Sequence, residues 1–107
     1  MGYRYIKLKN RGSYVARTKL SWSGTQDGNA GTGTYEESGY HDVLVYGERT
    51  IDMKDQAHFP DGAAVTFTCF VVAGRDKTAS FTFNEQPGDT ITYQCDGTTL
   101  FNSLKQV

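Results

Sequence analysis

The sequence predicts an all-β protein, an antiparallel two-sheet β-sandwich of immunoglobulin-like architecture with almost no helix. Three observations carry that expectation. Apolar and polar residues alternate with a period of two along most of the chain, the alternating segments are short, and clusters of Gly, Pro, Asn and Asp separate them. Strands that are apolar on one face need a second sheet to cover that face, so a sandwich follows from burial.

The segments justify themselves in order. In residues 3–9, Ile6 and Leu8 oppose Lys7 and Lys9. In 13–22, Tyr14, Ala16, Thr18, Leu20 and Trp22 share one face against Val15, Arg17, Lys19 and Ser21. Residues 42–46 form a short apolar run, Val43-Leu44-Val45-Tyr46, read as a further strand. Residues 64–72 are the most hydrophobic segment, with Val65, Phe67, Cys69 and Val71 on one side. Ala79, Phe81 and Phe83 alternate with Ser80, Thr82 and Asn84, and Ile91, Tyr93 and Cys95 do the same in 90–95. Turn clusters stand at Asn10-Arg11-Gly12, Pro60-Asp61-Gly62, Ala73-Gly74-Arg75-Asp76 and Gln86-Pro87-Gly88-Asp89. The expected core is Leu20, Trp22, Val65, Phe67, Phe81, Phe83, Ile91 and Tyr93. Residues 23–39 break the pattern: with five glycines and almost no apolar side chain, they read as a long loop and not as a packed strand.

Bulk properties narrow the function. A chain of 107 residues reads as a single domain spanning 1–107. The formal net charge of −1 gives no electrostatic basis for nucleic acid or for docking on anionic lipid by charge alone. No apolar run approaches the roughly 18 residues of a spanning helix. The start, Met1-Gly2-Tyr3-Arg4-Tyr5, lacks the apolar stretch of a secretory signal, and the sixth position lacks the Ser or Thr of a myristoylation motif. The expectation is a chain made in the cytosol, although a piece cut from a longer protein reads the same way.

Chemistry-bearing constellations are sparse. Cys69 and Cys95 have neither metal spacing nor a Cys-x-x-Cys pattern, and they read as two buried thiols or a disulfide. His41 and His58 are the only histidines and lack the context of an activated base, so no catalytic residue is assigned. Asp27-Gly28-Asn29 lacks the acidic string of a calcium loop, Glu36 and Glu37 read as solvated charge, and neither metal nor cofactor is expected. Binding has better material. Phe59 and Phe101 sit beside turn residues as candidates for exposure, and Tyr35 and Tyr40 either contact a ligand or cover the sandwich edge.

Two segments carry a resemblance. Gly12-Ser13-Tyr14-Val15-Ala16-Arg17 runs on to Ser21-Trp22, and Asp96-Gly97-Thr98-Thr99-Leu100-Phe101 lies near the C-terminus. Their order and separation resemble the C-terminal membrane-binding domain of the cholesterol-dependent, thiol-activated cytolysins. There a Gly-(Ala/Ser)-Tyr-Val-Ala-Gln strand ending in Ser-Trp or Ala-Trp opens the domain and a Trp-Gly-Thr-Thr-Leu-Tyr segment closes it. The resemblance implies a β-sandwich whose loops at one end rest on a sterol-containing bilayer. Thr99 and Leu100 match the family's sterol-recognising pair, and Phe101 matches its neighbouring aromatic. By sequence order two further membrane loops fall on the turn beginning at Ser23 and on the region from Arg49 and Thr50 to Asp52. The family's Trp-rich loop, Glu-Cys-Thr-Gly-Leu-Ala-Trp-Glu-Trp-Trp-Arg, is not retained. The equivalent stretch from Val71 to Ala79 has no Trp and no Cys, and it places Arg75, Asp76 and Lys77 where indoles stand.

The expected function is therefore non-enzymatic recognition of a membrane component, a sterol, lipid headgroup or glycan, through loops at one end. The alternative is a soluble protein-interaction domain that kept the sandwich and lost lipid binding.

Overall fold

The computed structural model describes residues 2–26, 28–36, 43–44, 46–71, 74, 76–86, 88–98 and 102–107. Eight strands form two four-stranded sheets. They are β1 (Tyr5–Asn10), β2 (Ala16–Gln26), β3 (Asn29–Glu36), β4 (Glu48–Asp52), β5 (Ala64–Val71), β6 (Lys77–Thr82), β7 (Thr90–Gly97) and β8 (Asn102–Gln106). The first sheet has the order β4-β1-β7-β8 and the second β3-β2-β5-β6. Every described ladder is antiparallel except β1 against β7, which run parallel from Tyr5 opposite Thr90 to Asn10 opposite Cys95. The two-sheet sandwich is thus as expected, with a mixed first sheet.

Alternation places the core where the sequence put it. Leu20, Val65, Phe67, Phe83, Ile91 and Tyr93 are buried, and Trp22 and Phe81 are half-buried against them. Ile6, Leu8, Ile51, Met53 and Phe59 complete the layer between the sheets. Phe59, expected as a candidate for exposure, is buried, with its ring 6.4 Å from Trp22 and 6.1 Å edge-on from Phe83. Tyr35 also packs against the core, as a cover for the sandwich edge.

Two expectations are corrected. The glycine-rich stretch is not a loop up to residue 36: β2 runs through Gly24 to Gln26, and β3 returns over Asn29–Glu36. The pairing of Gln26 with Asn29 leaves two residues to turn the chain, and Gly28, with φ of 81°, supplies the left-handed position that such a hairpin needs. Glycine is tolerated inside β3 because Trp22 lies over it. A Cβ on Gly33 would stand 2.4 Å from the indole Nε1, and one on Gly31 would stand 3.5 Å from the ring. The indole fills the space that side chains on β3 would occupy, so burial of one large ring offsets the weak strand propensity.

Of the apolar run at 43–46, the described residues Val43, Leu44 and Tyr46 do not lie in a strand. Val43 makes a single bridge to Ala16. Leu44 and Tyr46 point outward, 62% and 75% exposed. An apolar run without alternation does not specify a face, and here the chain uses it to cross from one sheet to the other.

Strand directions define two ends. One end, called the tip, carries the connections β1 to β2, β3 to β4, β5 to β6 and β7 to β8. The far end carries the hairpin after Gln26, the segment from Met53 to Ala63, and the connection from Phe83 to Asp89.

Candidate functional site

The tip is organised by one buried amide. Asn10, the last residue of β1, is fully buried. Its Nδ2 donates to the carbonyls of Tyr14 (2.6 Å) and Val43 (2.9 Å), while Oδ1 accepts from the backbone N–H of Gly12 (3.0 Å). The Cys95 thiol also donates to Oδ1 (3.5 Å). The Asn10 backbone continues the pattern, donating to the Gly47 carbonyl (2.9 Å) and accepting from the Tyr46 N–H (2.7 Å). One side chain therefore satisfies groups from segments 11–15 and 43–47 that burial would otherwise leave unpaired, at a cost of about 1–3 kcal/mol each. The β7 end joins the same knot: Ser13 N–H donates to the Gly97 carbonyl (2.9 Å) and the Tyr14 hydroxyl to the Asp96 carbonyl (3.0 Å). Burial, with a hydrogen bond to Cys95, pushes the Tyr14 hydroxyl up, so it stays a proton donor at neutral pH.

The segment that this knot supports is a four-residue turn closed by the Gly47 N–H on the Leu44 carbonyl (2.7 Å). Tyr46 occupies its third position with φ of 64°, the left-handed region. A bulky residue there costs on the order of 1–3 kcal/mol, and Gly or Asn is the usual occupant. Glycine stands instead at 47, where a Cβ would approach the Leu44 carbonyl to 2.9 Å.

Charge surrounds the base of the turn. Glu48 pairs with Lys7 (2.9 Å) and Arg11 (3.2 Å). The hydrogen bond from Lys7, and then that from Arg11, hold its carboxyl below the usual range. On the outer face of the second sheet, Lys19 and Arg17 lie 4.3 and 5.6 Å from the Phe70 ring, and Lys19 reaches Glu36 at 3.7 Å. Asp76 closes the connection after β5 by accepting from the Val71 N–H (3.1 Å).

Sequence-predicted site residues divide three ways. Thr99, Leu100 and Phe101 lie outside the described residues, as do Asp27, Glu37, Tyr40, His41 and Arg75; their flanks, Gly97 and Asn102, stand at the tip. Ser23 does not open a turn. It is paired with Thr32 and Ala64 within β2, beside a shallow furrow of about 390 Å³ lined also by Ser21, Thr34 and Thr66. Arg49 and Thr50 do not form a loop either: they lie in β4 opposite Leu8 and Lys7. The charged residues of 48–52 obscure its alternation, and the loop assignment there rested on sequence order in the resemblance. Leu44 and Tyr46 were missed, although an apolar run ending in Gly was the available signal. Of the two readings of the cysteines, the structure shows free, buried thiols at Cys69 and Cys95. Cys69 is buried in β5, and its hydrogen bond with Cys95, together with burial, pushes the thiol well up. No cluster of three metal-capable side chains occurs among the described residues, and His58 is exposed at the far end.

No family model and no curated protein matches this sequence. Solved structures do. The membrane-binding domain of pneumolysin superposes with a TM-score of 0.50 at 16% identity, covering 96% of this chain and 94% of that domain. Its fold is the fold of this chain. Longer chains agree: listeriolysin O gives a TM-score of 0.51 at 17% identity, and the cytotoxin protein suilysin from Streptococcus suis 0.51 at 14%. The chain spans 22% and 23% of their lengths, respectively. At these identities the likeness to pneumolysin concerns the fold.

Proposed function

We propose that this chain is a non-catalytic recognition module that meets a membrane surface tip first. The observation that carries the reading is the exposure of Leu44 and Tyr46, two residues apart, at the end where the Thr98–Asn102 connection also lies. The shared fold with a membrane-binding domain supports it. Sterol is the proposed ligand, with Thr99 offering a hydroxyl and Leu100 an apolar cover; Phe101 adds aromatic area. Transfer of Leu44 and Tyr46 out of water is worth roughly 3–5 kcal/mol in gross terms. A single acyl anchor is already only marginal, so attachment by one copy is weak and reversible, and sterol contact or several copies together strengthen it.

A second reading, a soluble protein-interaction domain, draws on Asp76 and Lys77 at the tip, where charge disfavours insertion. Sedimentation with phosphatidylcholine vesicles, with and without cholesterol, separates the two. The parent should pellet with cholesterol-containing vesicles, and Leu44→Ser and the double change Thr99→Gly, Leu100→Gly should each reduce pelleting, with stability altered by less than about 0.5 kcal/mol. Absence of parent binding to either vesicle sinks the membrane reading in favour of the soluble one.

A further inference from the structure

We infer that Cys69 and Cys95 are a redox site, a dithiol that closes into a disulfide between the two sheets when a small oxidant reaches it. The inference stands apart from the membrane reading. Strand direction and alternation bring the two residues together. β5 and β7 lie in different sheets, and both run towards the tip. Phe67 and Tyr93 meet across the interior, with ring centroids 5.2 Å apart. Two residues further along each strand, on the same inward faces, stand Cys69 and Cys95, 0% and 1% exposed. Side chains two apart on a strand share a face. The contact made by the rings is therefore repeated one step nearer the tip by the thiols, which hydrogen-bond to each other. Neither residue falls in the stretch from Val71 to Ala79, where the resemblance places the family's own cysteine.

The surroundings suit oxidation. The Cys95 thiol donates to Asn10 Oδ1 (3.5 Å), and that oxygen keeps the Gly12 N–H (3.0 Å) when the thiol proton is lost. Forming the bond thus leaves no acceptor of the knot unpaired. The hydrogen bond from Cys69, and then that from Tyr14, hold the Cys95 thiol below its usual range against the opposing effect of burial, while Cys69 is pushed up. Cys95 therefore attacks first. With a peroxide as oxidant, the Cys95 sulfur takes one oxygen, the O–O bond breaks, and the other oxygen leaves as water with the Cys95 proton. The Cys69 sulfur then attacks the sulfenic sulfur of Cys95; the S–O bond breaks, the S–S bond forms, and the hydroxyl leaves as water with the Cys69 proton. Two electrons pass from the two thiols to one peroxide. Burial selects the product: a peroxide is small enough to enter, whereas glutathione or the cysteine of a second copy is not.

The test treats the reduced full chain with hydrogen peroxide at neutral pH in the absence of denaturant. Free thiols are then counted after unfolding, the mass is measured, and urea unfolding is compared with that of the reduced chain. Both thiols should disappear together, the monomer should lose two hydrogen atoms, and dithiothreitol should restore it. The urea midpoint of the oxidised chain should lie about 1–2 M higher, because the bond closes a long loop in the unfolded state. Cys69→Ala and Cys95→Ala, treated alike, should show no such rise. Several results overturn the inference: thiols that persist in the folded chain under conditions that oxidise it in urea, a mass gain from added oxygen, disulfide-linked dimers, or an oxidised midpoint no higher than the reduced one. An equal rise in either single-cysteine variant also overturns it. The comparison of oxidised with reduced parent needs no variant, so it decides the matter even if the alanine changes prevent folding.

Discussion

The two ends of the sandwich handle polarity in opposite ways. At the far end, charges pair on the surface and apolar rings close the core. Asp52 accepts from Arg4 Nε and Nη2 (3.1 and 2.9 Å) and from the backbone N–H of Lys54 (3.0 Å), Lys54 meets Glu85, and Phe59 sits beneath them between Trp22 and Phe83. At the tip the arrangement is inverted, with an amide fully buried and a leucine and a tyrosine in solvent. The far end is arranged for stability. The tip gives up burial and backbone comfort to present side chains, the pattern expected where a surface is reserved for a partner.

Substitutions at the far end test that division. Phe59→Ala should have the largest effect, a loss of about 3–5 kcal/mol from the emptied space between Trp22 and Phe83, read as a lower urea midpoint. The folded fraction should still partition onto vesicles like the parent; a parallel loss of binding would show that the ends are not independent. Gly33→Ala should cost about 1–3 kcal/mol by pushing the Trp22 indole from its seat. Trp22 fluorescence shifting towards the solvent-exposed value would report the displacement, and an unshifted spectrum with unchanged stability refutes the account of why β3 tolerates glycine.

The smallest effect concerns pH. The Arg4 hydrogen bond, with those from the Asp55 and Lys54 backbones, holds the Asp52 carboxyl below its usual range. A depressed carboxylate contributes stability that is present above the unfolded pKa of about 3.9 and is lost as pH falls through the lower folded value. Asp52→Asn should therefore cost on the order of 1 kcal/mol at neutral pH and flatten the acid limb of a stability-against-pH curve. Glu48→Gln, at the tip, should flatten it less, because Glu48 and its partners Lys7 and Arg11 are about a third exposed, twice as much as Arg4 and Asp52, and water screens the pairs more. Equal flattening by both changes would remove the electrostatic difference between the ends.

The sandwich was legible because alternation is a local signal: Ile6 and Leu8, Phe67 and Cys69, Ile91 and Tyr93 all face inward as their spacing requires. The Gly31 and Gly33 strand was not, because its stability comes from Trp22 on the neighbouring strand, and no window of 23–39 contains that contact. An Asp27-Gly28 pair between the flanking segments was the hairpin signal that composition obscured. The tip was half legible. Its four connections follow from topology, and the resemblance placed Thr99 to Phe101 in one of them, but Ser23, Arg49 and Thr50 were assigned to loops by sequence order alone. What brings Leu44 and Tyr46 out is a buried Asn more than thirty residues earlier in the chain, which hydropathy cannot register.

The parallel ladder between β1 and β7 bears on how such a chain is made. Tyr5 and Thr90, its first partners, stand at opposite ends of the sequence, while the second sheet is assembled wholly from residues 16–82. During synthesis from the N-terminus, the sheet of β2, β3, β5 and β6 can pair before β7 exists. β1, made before the rest of its sheet, then waits, with Ile6 and Leu8 lacking their neighbour on one side, until β7 is delivered. Closing so long a loop is entropically slow relative to hairpin pairing. Asn10, at the end of that waiting strand, has the backbone partners of its amide within residues 12–47, so its knot can form early, and the links from Ser13 and Tyr14 to the end of β7 close the tip last.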